Sequence, residues 1–141
     1  MFANALTGKR VDFIGDADLL HTYSYVPDVA KGLAILGTDE RAVGGAWHLP
    51  GPETVTTRAM IDLEASEVGR PVGIRRVPTL AMRAMGLFSP MMRGLAEMAY
   101  EFEEPFVLDT SKYRSTFGTD ITPLNTAITE TVDWYRRESR S

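Results

Sequence analysis

Leu20-His-Thr-Tyr-Ser-Tyr-Val-Pro-Asp-Val-Ala30, continued by Lys-Gly-Leu-Ala-Ile-Leu-Gly37, joins two kinds of local preference. Tyr23–Val26 is aromatic and β-branched, the composition of a strand. Val29, Ala30, Leu33, Ala34 and Leu36 then recur at helical spacing. Pro27 stands just before Asp28, which can cap the helix, and Gly37 can close it. A strand running into a helix predicts an α/β chain.

The flanking segments repeat that alternation. Arg10–Ile14 alternates polar and apolar residues and stops at Gly15, so it reads as a short strand, and Asp16–Thr22 reads as a loop. Ala46–Leu49 reads as a strand stopped by Pro50-Gly51-Pro52. Thr56 or Thr57 caps a helix with Met60, Ile61, Leu63, Ala65 and Val68 on its apolar face and Gly69 at its end. Val72–Val77 reads as a strand. Residues 78–100 form a Met-rich helical region that breaks near Ser89-Pro90, since proline removes a backbone donor. Phe106–Leu108 reads as a short strand, with Asp109 capping a short helix that ends at Gly118. Thr122-Pro123 starts a last helix with Leu124, Ile128, Val132 and Tyr135 on one stripe. The residues from 138 to 141 are expected to fray.

The chain has 141 residues, a net charge of −4 and no cysteine. One domain is expected at about 150 residues per domain. The lack of cysteine excludes a disulfide framework, a thiolate metal site and a catalytic thiol. The acidic balance argues against a nucleic-acid binder. No apolar run approaches the ~18 residues of a spanning helix, and the amino-terminal segment has no secretory pattern. A soluble, cytoplasmic protein with no nucleic-acid or membrane partner is expected.

Much catalytic chemistry has no residues to carry it. No Gly-x-Gly-x-x-Gly fingerprint follows a strand, and neither a phosphate loop nor a Gly-x-Ser-x-Gly elbow occurs. His21 and His48 are the two histidines, and no His-x-x-x-His pair offers a zinc site. No tyrosine is followed four residues later by lysine, so the phenol–ammonium pair one helical turn apart is missing.

Some residues admit two readings. His21, at the entry to the aromatic strand, can contact a ligand or be a plain loop histidine. Asp16, Asp18 and His21 read as a turn rather than a metal site. His48 is expected packed and hydrogen-bonded. Residues 68–96 hold five arginines and no acidic residue. With their methionines they suit an anionic or extended apolar ligand, or a core-facing helix with a solvated basic face. Glu97, Glu101, Glu103 and Glu104 follow and can pair with that charge. Asp109-Thr-Ser-Lys112 reads as a helix cap.

Taken in order, these segments resemble the extended short-chain dehydrogenases/reductases, the NAD-dependent epimerase/dehydratase family. Val26-Pro-Asp-Val-Ala30 resembles the family's V-x-D-V-A segment. Ala46–Pro50, the helix before Gly69-Arg-Pro, Asp109-Thr-Ser-Lys112 with Gly118 and Thr122-Pro-Leu124, and Val132-Asp-Trp-Tyr135 are similar to its later elements. The resemblance covers about Gly8 to Arg137 and concerns the family's C-terminal part. It implies the closing elements of a Rossmann-type sheet and a substrate-covering subdomain, without the nucleotide-binding half. The family's catalytic tyrosine, lysine and serine or threonine match no position, so no catalytic or cofactor-binding residue carries over. His21-Thr22 stands where sugar-nucleotide epimerases often have Arg-Asp.

The substrate contacts expected from this resemblance and from the basic, Met-rich stretch are His21, Tyr23, Arg76, Met82, Met85 and Phe88, with no metal. The resemblance implies NAD or NADP for the full-length family and none bound by this chain alone. Met1 directly precedes a segment from the middle of the family's fold, as expected of a truncated product or an excised fragment. One reading is an enzyme portion that takes a small-molecule substrate and needs a complementary Rossmann chain. Another is a stand-alone ligand-binding or interaction module derived from that family. A third, an unrelated enzyme built on His21 and Arg76, lacks a visible nucleophile–base–orienter set. In the family, Ala46–Leu49 pairs with a sheet missing here. An unpaired edge predicts a homo-oligomer or a partner chain.

Overall fold

The computed structural model of the protein describes residues 1–78, 87, 89–98 and 102–139. Its core is helical. Helix α1 (Phe2–Leu6) is followed by strands β1 (Val11–Ile14) and β2 (Leu20–Thr22), then helix α2 (Val26–Thr38). After a 3-10 turn come β3 (Thr54–Thr56), α3 (Thr57–Val68) and β4 (Ile74–Val77). Helices α4 (Pro90–Glu97), α5 (Ser111–Phe117) and α6 (Leu124–Glu138) complete the described elements. None of the described helices is long and apolar enough to cross a membrane.

Helix α3 begins where Thr56 Oγ1 accepts the Ala59 N–H at 3.0 Å. It ends at Gly69, whose φ of +76° costs a residue without Cβ little. Its buried Met60 joins Leu124, Ile128 and Val132 of α6, with Phe2 and Leu6 of α1 packed against them. Burying each such side chain is worth about 1.5–3 kcal/mol, so this three-helix contact is a large stabilising contribution among the described residues.

The strands form two separate pairs. β1 and β4 are parallel, with Val11 opposite Ile74 and Phe13 opposite Arg76. β2 and β3 are antiparallel, with His21 opposite Val55. On its other side, β2 bonds to Phe106: the Phe106 N–H donates to Leu20 O at 2.9 Å and the Thr22 N–H to Phe106 O at 2.8 Å. The expected strand at Phe106–Leu108 is therefore a single bridge.

Several expectations shift. The strand read at Tyr23–Val26 lies at Leu20–Thr22, because the helix has already begun at Val26 with Pro27 in its first turn. Proline's fixed φ suits that place. Asp28 does not cap its own helix. Its buried carboxylate accepts the Thr122 N–H at 2.9 Å and the Thr122 hydroxyl at 2.8 Å, tying α2 to the start of α6. Gly37 does not end α2, which runs on to Thr38. Ala46–Leu49 is not a strand, since no described backbone lies alongside it as a ladder partner. Side chains hold it instead. Lys112 Nζ donates to Ala46 O at 3.0 Å and Trp47 Nε1 to Ala42 O at 3.0 Å. The short helix α1 had no counterpart in the sequence reading. Asp109 lies one residue before the cap position of α5 and its Oδ1 accepts the Ser111 N–H at 2.9 Å.

Candidate functional site

β2 enters the site between two neighbours and so buries His21, which is 7% exposed. The His21 ring stacks on Phe102, with centroids 6.2 Å apart and planes at 24°, and tilts against Tyr23 at 6.3 Å. Its Nδ1 lies 3.3 Å from Leu19 O. Phe102 also meets Phe13 of β1 edge-on at 5.8 Å, so these rings link the two strand pairs. Gly15 allows this approach: a Cβ there would lie 2.1 Å from Phe102 O. Tyr23 turns its hydroxyl to Thr57 Oγ1 at 2.6 Å, and burial pushes its phenol pKa up. Gly51 lies against the same residue, since a Cβ there would come within 2.0 Å of Tyr23 O.

The structure thus brings His21 and Tyr23 together. Arg76 is exposed on β4, beside Phe13 in the register and in the other strand pair. Met82, Met85 and Phe88 lie outside the described residues. The basic stretch is partly engaged locally: Arg75 forms a two-pronged pair with Asp12 at 2.7 Å, and Arg70 donates to Leu6 O. Asp16 Oδ1 accepts the Asp18 N–H at 2.9 Å, as a turn requires, and Asp18 pairs with Arg58 at 2.6 Å. The hydrogen bonds from Arg58 hold the Asp18 carboxyl below its ordinary pKa. No group of three metal-ligating side chains occurs among the described residues. His48, expected packed, is exposed, with Nδ1 3.0 Å from Asp109 O. It sits on the segment that lacks a ladder partner among the described residues.

Two features escaped the sequence reading. A cavity of about 780 Å³ opens between α1, the turn from β2 into α2, and α6. Tyr23, Pro27 and Met60 line it with Ile128 and Trp134, and Glu130, Asp133, Arg137 and Met1 with the terminal ammonium are its charged lining residues. The Tyr25 hydroxyl donates to Glu130 across the cavity, and burial with this carboxylate pushes its phenol pKa to about 12. No sequence spacing joins Tyr25 to Glu130, because α2 and α6 meet only in the fold. The second feature is Glu64. It is fully buried on α3, neither carboxylate oxygen has a hydrogen-bond partner, and burial pushes its pKa up to about 7. Its signal was present: Glu64 lies four residues after Met60 and three after Ile61, on the apolar stripe of α3.

No protein-family model matches the chain. No curated protein matches it. Solved structures do match. The UDP-glucuronic acid 4-epimerase of Bacillus cereus, solved with UDP-glucuronic acid and NAD, superposes with a TM-score of 0.70 at 16% identity, covering 97% of this chain and 38% of its own. The UDP-glucose 4-epimerase of Thermus thermophilus, solved with NAD, gives 0.64 at 21% identity, covering 96% and 38%. A GalE-like L-threonine dehydrogenase of Cupriavidus necator gives 0.64 at 16% identity, covering 94% and 38%. The chain thus has part of the fold of these epimerases and this dehydrogenase, and spans 38% of the length of these three structures.

Proposed function

We propose that this chain is the C-terminal, substrate-binding portion of an NAD(P)-dependent epimerase, dehydratase or reductase, and that it depends on a nucleotide-binding Rossmann half for catalysis. The observation that carries the reading is the match of 97% of the chain to 38% of a NAD-complexed epimerase. Tyr23 supplies part of the surface that covers a small-molecule substrate, with buried His21 packed beside it. The hydride donor and the catalytic phenol–ammonium pair belong to the other half.

The starts of α2 and α3 do not fit the pyrophosphate of NAD or NADP. A pyrophosphate needs free N–H groups at a helix N-terminus and glycines that let the backbone close in. At the start of α3, Thr56 already takes the Ala59 N–H. At the start of α2, Pro27 removes one donor and Asp28 places a carboxylate in the first turn, which disfavours an anion.

The Rossmann half would lie on the same polypeptide or on a partner chain, and exposed apolar surface would also let two copies of this chain associate. α2 supports a covering partner, because it turns Val26 and Leu33 to solvent, 77% and 59% exposed. Titration with NADH and NADPH, followed by nicotinamide fluorescence, tests the reading. No saturable signal is expected from the chain alone, and saturable binding would overturn the proposed dependence. Light scattering at tens of micromolar, a concentration where weak dimers form, should show an oligomer; a clean monomer counts against self-association. A stand-alone ligand-binding module is the second reading, favoured by the apolar cavity of about 780 Å³.

A further inference from the structure

We propose that the cavity between α1, the β2–α2 turn and α6 binds an organic ammonium carried on an apolar, ring-sized body. The inference rests on the cavity itself and is independent of the enzyme reading above. Its volume of about 780 Å³ falls in the range of small-molecule sites. The floor is apolar, formed by Met60, Leu124 and Ile128 of the helical core.

The charged groups select the ligand. Glu130 takes the Tyr25 hydroxyl on Oε2 and leaves Oε1 without a protein partner among the described residues. Tyr25 reaches that carboxylate with its hydroxyl. Trp134 follows one helical turn along α6 on the same cavity lining, half exposed and packed edge-on against Tyr135 at 4.8 Å. A carboxylate and aromatic rings on one cavity lining favour a cation twice, through the charge and through the electronegative ring faces. An anion finds less. Arg136 is held by Asp133 at 2.9 Å and by Glu67 O at 3.2 Å. Arg137 is exposed and seven residues beyond Glu130, roughly 10 Å along the helix. A carboxylate ligand would therefore meet Arg137 only at the solvated end of the cavity, the terminal ammonium of Met1 being the other cation on the lining, against the carboxylates of Glu130 and Asp133.

The experiment is isothermal titration with 2-(1-naphthyl)ethylammonium and, as the acid on the same ring, 1-naphthylacetate. The amine should bind saturably with one site and up to about tenfold more tightly than the acid, the ratio expected of an exposed carboxylate and a cation–π contact together. Glu130→Gln keeps an oxygen for Tyr25 and should weaken the amine about fivefold with an unchanged melting temperature. Ser24→Trp places bulk on an exposed lining residue outside the core and should abolish binding. Absent saturation by the amine, equal or tighter binding of the acid, or amine binding that survives both substitutions would overturn the proposal.

Discussion

Glu64→Gln should remove most of the pH dependence of stability between the ordinary glutamate range and neutrality. The folded carboxyl titrates at about 7 against 4.5 for the free group, because burial penalises its charge. The folded state therefore holds this proton more tightly than the unfolded chain. Stability is full at low pH, falls as pH rises from about 4.5 toward 7, and is lowest above that. At 1.36 kcal/mol per pKa unit, the penalty at pH 8 is about 3 kcal/mol. Its size agrees with the cost of a buried charge that lacks a hydrogen-bond partner, the terminal ammonium offsetting only part of it. Urea denaturation of both proteins at pH 5 and pH 8 is the assay. Glu64→Gln should lie near the parent at pH 5 and above it by about 2 kcal/mol at pH 8, the amide still leaving unpaired polar atoms. Glu64→Leu should gain at least as much at pH 8. Parallel pH profiles for parent and Gln variant would refute the reasoning, since they would mean that ionising the buried carboxyl carries no penalty.

Other substitutions probe the joints between elements. Asp28→Ala should cost about 2–3 kcal/mol in urea denaturation, because it strips both buried hydrogen bonds from Thr122; a negligible loss would show that α6 does not need the clamp. Gly51→Ala should lower the melting temperature by several degrees, since its Cβ would fall 2.0 Å from Tyr23 O and backbone must move. Thr56→Ala should cost about 1 kcal/mol, and Thr56→Ser should restore most of it, as judged by chemical denaturation.

The helices at the centre of the fold were legible because their signals are local. The α3 segment carries its own cap at Thr56, its apolar spacing and its closing Gly69, and the structure keeps all three. The stripe Leu124, Ile128 and Val132 is likewise buried as read. What misled was non-local. Ala46–Leu49 has a strand's composition, but a strand also needs a neighbour to bond with. Tyr23 and Tyr25 have β-forming side chains, yet Pro27 starts the helix early enough to override them. Asp28 has a capping residue's chemistry and a partner 94 positions away. Of the candidate site, His21 and Tyr23 are adjacent on one strand and its exit, so proximity in sequence sufficed. Arg76 lies on a different strand pair, which no spacing in the sequence could reveal.

The unaccompanied backbone of Ala46–Leu49 has a use as a reporter. Side chains from Lys112 and Trp47 fix where this segment lies, while no ladder among the described residues protects its amides. Those amides should exchange with deuterium far faster than those of α3. Any chain that docks a strand there would slow them selectively, without touching the exchange of the helical core. Exchange at these four residues thus reads out edge occupation directly and separates strand addition from association through the exposed face of α2.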